Sequence, residues 1–407
     1  MDLRSRLSRI RELNSGGKHA AGRSAGGPEA PPESPPQGRP FEKAGWNSLG
    51  PYVLKREWLS DLPFSVPRSL PPALDILVPG IGRTVPASLR FFDLETTGLS
   101  RGAGTVAFLA AFGALEDPPI SRKRGARPLS GAPVSGADHA AIRITQYLLL
   151  DYPGEADFLE ALHGEFELLP VIVSYNGKAF DAPILQNRCL MNGISPPSFG
   201  HLDLLYSARR MWRRFLPNCS QGTVETEVLA LSREGDIPGA LAPDAWFSFL
   251  KDGDAAALLQ VCDHNGRDIL GLASILGALC RIARDPLGGR FHPDPEQLWL
   301  CWWGALRRGS CGEGEYPLVR ALLERGAELG YPRCCRKLAV EAEWRRNDTD
   351  RALDLVERAL GFQPAPGPED GGGPHPGFPS GRLREDLEKR RERLLSKTGR
   401  RGPEKNL

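Results

Sequence analysis

The chain has 407 residues, 41% of them hydrophobic and 25% charged, a composition that excludes a fibrous or wholly disordered protein and leaves room for about two or three globular domains. Its 52 basic and 50 acidic residues leave a net charge of +2, so nucleic acid or acidic partners would have to be met by local patches. No apolar run reaches the ~18 residues of a membrane span, no leader pattern opens the chain, and eight scattered cysteines make no C-x-x-C pair, which together point to a cytoplasmic protein with reduced thiols and no membrane partner.

Residues 1–15 place Leu3, Leu7, Ile10 and Leu13 at helical spacing among basic side chains, a pattern that suits an acidic partner and equally a solvated face. From 15 to 40 the chain is Gly, Pro, Ser and Ala, so 1–45 reads as a disordered basic segment. Prolines scattered among Tyr52, Val53, Trp58 and Leu59 predict an irregular lead-in over 46–88. Apolar runs then predict strands at 89–95, 105–110, 142–150 and 171–175, with an exposed insertion at 116–139. Helical periodicity marks 155–168, 182–191, 203–215, 221–231, 243–250 and 255–284. Strands followed by alternating helix and strand argue for an α/β fold with a mixed sheet flanked by helices, covering 89–285. Asp285-Pro286-Leu287-Gly288-Gly289 closes that domain, and a chain cut there is expected to stay folded. Four helices over 296–360 repeat weakly at an offset of about 34 residues, which makes 290–361 a small all-α tetratricopeptide-like region suited to a protein partner. A linker and a charged helix fill 362–407.

Acidic side chains interrupt three of these elements. On the first strand, residues two apart share a face, so Asp93 and Glu95 stand beside Leu89 and Phe91. Two carboxylates that close repel each other, and a divalent cation with oxygen ligands is the usual compensation; a polar strand end is the plain alternative. Asp181 follows the fourth strand and opens a helix, where it would cap or face the ligand-binding edge of an α/β sheet. In the long helix His264 and Asp268 lie four apart on one face, with Asp268 on a row that should be buried and therefore needs a partner, either a cation or an arginine such as Arg188, Arg209 or Arg267. Asp203 reads first as a helix cap and second as a neighbour of the acids. Arg209, Arg210, Arg213 and Arg214 around Met211 and Trp212 suit backbone contact and stacking on a single strand, or a solvated helix face.

Taken in order, Phe92-Asp93-Leu94-Glu95-Thr96-Thr97-Gly98-Leu99-Ser100, Tyr175-Asn176-Gly177-Lys178-Ala179-Phe180-Asp181, His201-Leu202-Asp203-Leu204-Leu205 and His264-Asn265-Gly266-Arg267-Asp268 resemble the motifs of YprB-type ribonuclease H-like proteins, in the DEDD exonuclease superfamily. The resemblance covers about 89–283 and implies a ribonuclease H-like fold and a 3'–5' exonuclease that hydrolyses phosphodiester bonds, acting on nucleic acid that is single-stranded or has a free 3' end. It further implies two Mg2+ or Mn2+ ions held by Asp93, Glu95, Asp181 and Asp268, roughly 3.5–4 Å apart, with His264 deprotonating or orienting the attacking water. Thr96, Thr97 and Leu99 would grip the terminal nucleotide, and Asn176 and Lys178 would steady the strand. The chain departs from the superfamily in placing His264 with three intervening residues before Asp268, where that spacing carries a Tyr. That departure sustains an alternative from another class, a catalytically weak nucleic-acid-binding scaffold whose helical C-terminal region binds proteins. DNA and RNA are not separated by any of these motifs.

Overall fold

The computed structural model describes residues 39–82, 84–98, 104–116, 138–167, 170–362 and 381–399. The expected basic helix at 1–15, the disordered run up to residue 38, most of the insertion at 116–139, most of the 362–380 linker and Leu99 lie outside those residues.

A seven-stranded mixed sheet organises the molecule. Its strands are β1 (Asn47–Ser48), β2 (Val53–Pro67), β3 (Leu89–Thr96), β4 (Ala107–Glu116), β5 (Asp138–Leu149), β6 (Val171–Ser174) and β7 (Gly200–Asp203), in the order β1-β2-β5-β4-β3-β6-β7. Pairing is antiparallel from β1 through to β3, and parallel from β3 to β6 and β6 to β7. The helices are α1 (Arg39–Lys43), α2 (Leu74–Leu77), α3 (Glu155–His163), α4 (Asp181–Met191), α5 (Leu204–Trp212), α6 (Gln221–Glu227), α7 (Ala242–Asp252) and α8 (Ala256–Arg284), followed by α9 (Pro295–Arg307), α10 (Tyr316–Glu328), α11 (Pro332–Arg345), α12 (Thr349–Leu360) and α13 (Gly381–Thr398). No helix among the described residues is long and apolar enough to cross a membrane.

The central strands are apolar on both sides because both faces are covered. On β3, Leu89 and Phe91 enter one core with α2, α5 and α6, while Phe92 and Leu94 enter the other with α3, α4 and α7. Phe92 packs on Phe112 and Phe166, with ring centroids 4.9 and 6.2 Å away, and burying each such side chain contributes about 1.5–3 kcal/mol. Helix α8 serves both cores: Leu258, Val261 and Cys262 fall in the second, and Ile269 through Ala283 in the first. It lies along β2, β3, β4 and β5, so the middle of α8 is held over the acidic end of β3.

The structure departs from the sequence expectations at two places and adds a strand. The 46–88 segment is no irregular lead-in: β2 is a 15-residue strand paired along β5. Its alternation is hidden by Lys55, Arg56, Glu57 and Asp61, which occupy partly or fully exposed positions, and its prolines fall near the strand's end, where a missing N–H is tolerated. Strand β7 carries too few residues, four including Gly200, to give a periodic signal. Trp212 offers no stacking surface, being 1% exposed in the core with its indole N–H donated to the Phe291 carbonyl at 2.8 Å.

The described residues from Arg39 onward form one compact unit. The first core runs without a break from Trp212, Leu276 and Ile282 into Phe291, Leu298, Trp299 and Trp302, and on to Leu387 and Leu394 of α13. Helix α13 owes its position to charge as well: Glu343 of α11, with its side chain 1% exposed, accepts from Arg390, Arg393 and Lys397 at 2.7, 2.7 and 2.8 Å.

Candidate metal centre

The site forms where the end of β3 meets the loop after β6 and the middle of α8. Asp93 and Glu95 leave β3 on the face of Leu89 and Phe91, and both remain partly exposed. Beside them, the chain leaves β6 through a tight turn in which Asn176 takes the left-handed conformation at φ 67°. A Cβ on Gly177 would fall 2.5 Å from Ser174 Oγ and 2.8 Å from Asp181 Oδ2, so a residue without a side chain is what lets the turn close and deliver Asp181 at the first position of α4. Asp203, at the end of β7, clamps the same turn. Its carboxylate accepts from the backbone N–H of Asn176 at 2.8 Å and of Lys178 at 3.1 Å, and from Leu205 N at 3.1 Å to cap α5. Asp203 is therefore a cap and a turn clamp with its oxygens committed to the backbone.

Helix α8 supplies the opposite wall. Asn265 donates from Nδ2 to Asp93 Oδ2 at 2.7 Å. One donor atom each from Glu95, His264 and Asp268 lies within 4.8 Å of the other two. His264 Nδ1 meets Asp236 Oδ1 at 2.9 Å, and its Nε2 stands 3.4 Å from Asp268 Oδ2. With Nδ1–H donated to Asp236, the lone pair of Nε2 faces the carboxylates.

The arginine beside Asp268 is none of the three expected from the sequence. Arg188 pairs with Glu155, and Arg267 with Asp236 at 3.3 Å, while Arg209 is exposed. Asp268 Oδ1 instead accepts from Arg233, which comes from the loop after α6 and also binds Asp236 at 3.0 Å and Glu225 at 2.6 Å. Glu225 is 3% exposed, and its carboxylate occupies the space that a Cβ on Gly271 of α8 would fill. The sequence carries no sign of Arg233, Asp236 or Glu225, and it places Asn265 in the motif without a role; Arg233 and Asp236 sit in an aperiodic loop and meet α8 only through tertiary contact.

The electrostatics follow from burial and crowding. Burial first, then the Asp268 charge, pushes the Asp93 carboxyl up to about 7, with the Asn265 hydrogen bond working the other way. Burial, then Asp93, Asp268 and Asp181, holds Glu95 well above the usual carboxylate range. Asp181 is raised by burial, then by Asp93 and Asp203. Burial works against the Arg233 charge, but Glu225 and Asp268 outweigh it and hold the guanidinium above its ordinary value. Among the described residues, none of Asp93, Glu95 and Asp181 forms an ion pair with Lys or Arg. Three neighbouring carboxylates without a protein cation between them, flanked by a His nitrogen, fit a hard divalent ion with oxygen and imidazole ligands.

Of the remaining expected residues, Thr96 and Thr97 serve the turn after β3. Thr96 Oγ1 donates to Gly98 O at 2.8 Å, and Thr97 Oγ1 accepts from Val106 N at 3.0 Å. Lys178 is exposed and Asn176 partly so. Arg209 and Arg213 face solvent, whereas Arg214 is tied to Asp294 and Glu296 at 3.1 and 3.0 Å.

Comparison with known proteins agrees with this architecture. Residues 129–280 match the model of the RNase H superfamily, a segment that takes in Asp181, His264 and Asp268 and begins after Asp93 and Glu95. The uncharacterized protein YprB of Bacillus subtilis (strain 168) is 36% identical over 191 residues, which are 46% of this chain and span 41% of that protein's length. The family B DNA polymerase of the hyperthermophilic archaeon Pyrobaculum calidifontis aligns with 54% of this chain and 29% of its own, at 15% identity and a TM-score of 0.30.

Proposed function

Because the chain carries a ribonuclease H-like domain similar to that of YprB, we propose that it is a metal-dependent 3'–5' exonuclease that hydrolyses the phosphodiester bonds of nucleic acid. The observation that carries this reading is the cluster of Glu95, His264 and Asp268, whose donor atoms lie within 4.8 Å of one another, with Asp93 and Asp181 near enough for their charges to raise Glu95; among the described residues Asp93, Glu95 and Asp181 have no Lys or Arg ion pair. Asp93, Glu95, Asp181 and Asp268 would hold two Mg2+ or Mn2+ ions, which supply charge neutralisation for an anionic substrate and an activated water. Each of two acids has one oxygen held by the protein, Asp93 by Asn265 and Asp268 by Arg233, and one oxygen left for a ligand. His264 accepts the proton of the attacking water at Nε2, and Asp236 stabilises the imidazolium that results. The exposed Lys178, Arg209 and Arg213 supply the local positive charge that a strand backbone needs. Reading residues 290–361 as a tetratricopeptide-like platform for a protein partner belongs to the same proposal and rests on the pairing of α9 with α10 and α11 with α12.

The test is purified protein with 3'-ended single-stranded DNA and RNA labelled at the 5' end, in Mg2+ or Mn2+. Stepwise shortening from the 3' end, abolished by chelation, is the expected result, and intact substrate in both metals would overturn the proposal. A second role for His264, as a metal ligand, is favoured by its cluster with Glu95 and Asp268. His264→Gln separates the two. As base, its loss lowers the rate about 100-fold or more with Mn2+ affinity unchanged; as ligand, its loss weakens Mn2+ binding itself.

A further inference from the structure

Arg56 of β2 stands opposite Gln146 of β5, Gln146 opposite Ala111 of β4, and Ala111 opposite Asp93 of β3. Residues directly opposite in a ladder share a face, so these four side chains form one row across the sheet, ending at the acidic site. The methyl of Ala111 leaves the row open at its third position, and Asn265 of α8 spans the opening, bonded to Gln146 on one side and Asp93 on the other.

The row has a direction. A guanidinium can only donate, and Arg56 Nε gives its proton to Gln146 Oε1 at 2.6 Å. With that oxygen committed, the Gln146 NH2 must face the other way, where it donates to Asn265 Oδ1 at 2.7 Å and Cys262 O at 2.8 Å. Asn265 in turn has only its NH2 left for Asp93 Oδ2. Both amides are 0% exposed, so neither can turn over and find water instead. Arg56 is itself fixed, 4.8 Å from the ring centroids of both Trp46 and Trp58, and its charge is neutralised by Asp263 at 3.0 Å.

From this we infer that Arg56, Gln146 and Asn265 are positioning residues for Asp93, a one-way amide relay that pins Oδ2 and leaves Oδ1 for a divalent cation. The inference rests on the reading of Asp93 as a metal ligand. A neutral amide is suited to that task, because an Arg or Lys in direct contact with Asp93 would compete for the charge the cation needs, whereas the relay delivers only the polarity of Arg56. It also gives β2 a part in the site.

Gln146→Glu tests it, since the change keeps the shape and the bond from Arg56 but removes the donor to Asn265. The Asn265 amide then turns its NH2 toward the new carboxylate and its oxygen toward Asp93. Calorimetric titration with Mn2+ should register a loss of affinity of about 10- to 100-fold with cooperative thermal unfolding retained. Arg56→Lys preserves a donor-only group and should preserve most of the affinity. Should Gln146→Glu fail to fold, Arg56→Met takes its place, and weaker Mn2+ binding is again the expected result. Parental affinity in the folded Gln146→Glu, or in Arg56→Met where that variant stands in, overturns the relay alone; no Mn2+ binding by the parent overturns the metal reading and the relay with it.

Discussion

Asp93→Asn and Asp181→Asn should each lower metal-dependent cleavage by about 1,000-fold or more, because on the proposed reading each would remove a negative ligand that no neighbouring group can replace. The same changes should stabilise the metal-free protein. A carboxyl raised in the folded state favours folding only while it is protonated, so its penalty is absent below its unfolded value of 3.8 and complete above the folded value of about 7 for Asp93. The thermal midpoint of metal-free Asp93→Asn should therefore exceed that of the parent by several degrees at pH 8, and the difference should vanish near pH 4. Activity and stability moving in opposite directions separates a metal ligand from a merely structural acid, whose loss would lower both. Thermal scans across that pH range, beside a cleavage assay, check the pair of outcomes.

Cutting the chain after Gly289 should leave a protein that does not unfold cooperatively, contrary to the expectation from the Asp285-Pro286-Leu287-Gly288-Gly289 break. The turn is there, but the core passes through it: Phe291, Leu298, Trp299 and Trp302 are all buried in the cluster that includes Met211 and Trp212. Losing the partner surface of several such side chains costs about 1.5–3 kcal/mol each. Arg214 would lose Asp294 and Glu296 together with the Tyr331 ring that its guanidinium packs on. Over the four apolar side chains the loss is comparable with the ~5–15 kcal/mol by which a typical domain is stable. Circular dichroism melting and size-exclusion chromatography of residues 39–289 would check it; a cooperative melt with a monomeric peak would show that the helical region is dispensable.

The parts of the site legible in the sequence are those whose signal is local. Asp93 and Glu95 announced themselves because a strand puts alternate residues on one face, and Asp268 because a carboxylate fell on an apolar helical row. Asp181 was legible from its place between a strand and a helix start. What escaped is long-range: Arg233 and Asp236 reach α8 from a loop, Gln146 meets Asn265 across 119 positions, and Arg56 meets Gln146 across 90. No periodicity encodes such contacts; they come from strand register and from where α8 crosses the sheet. The charges that satisfy the edge of β2 are the same ones that disguised it as an irregular segment. Trp212 failed in the opposite sense, since an aromatic among arginines on a short helix looks like a stacking platform until the helix is seen to bury that side.

The most direct test of the metal centre is anomalous diffraction from crystals of the full chain grown or soaked with Mn2+. The account predicts anomalous density bounded by Asp93, Glu95, Asp181 and Asp268, and its loss in Asp181→Asn. Mn2+ found only elsewhere on the molecule, with those carboxylates left to themselves, would contradict it.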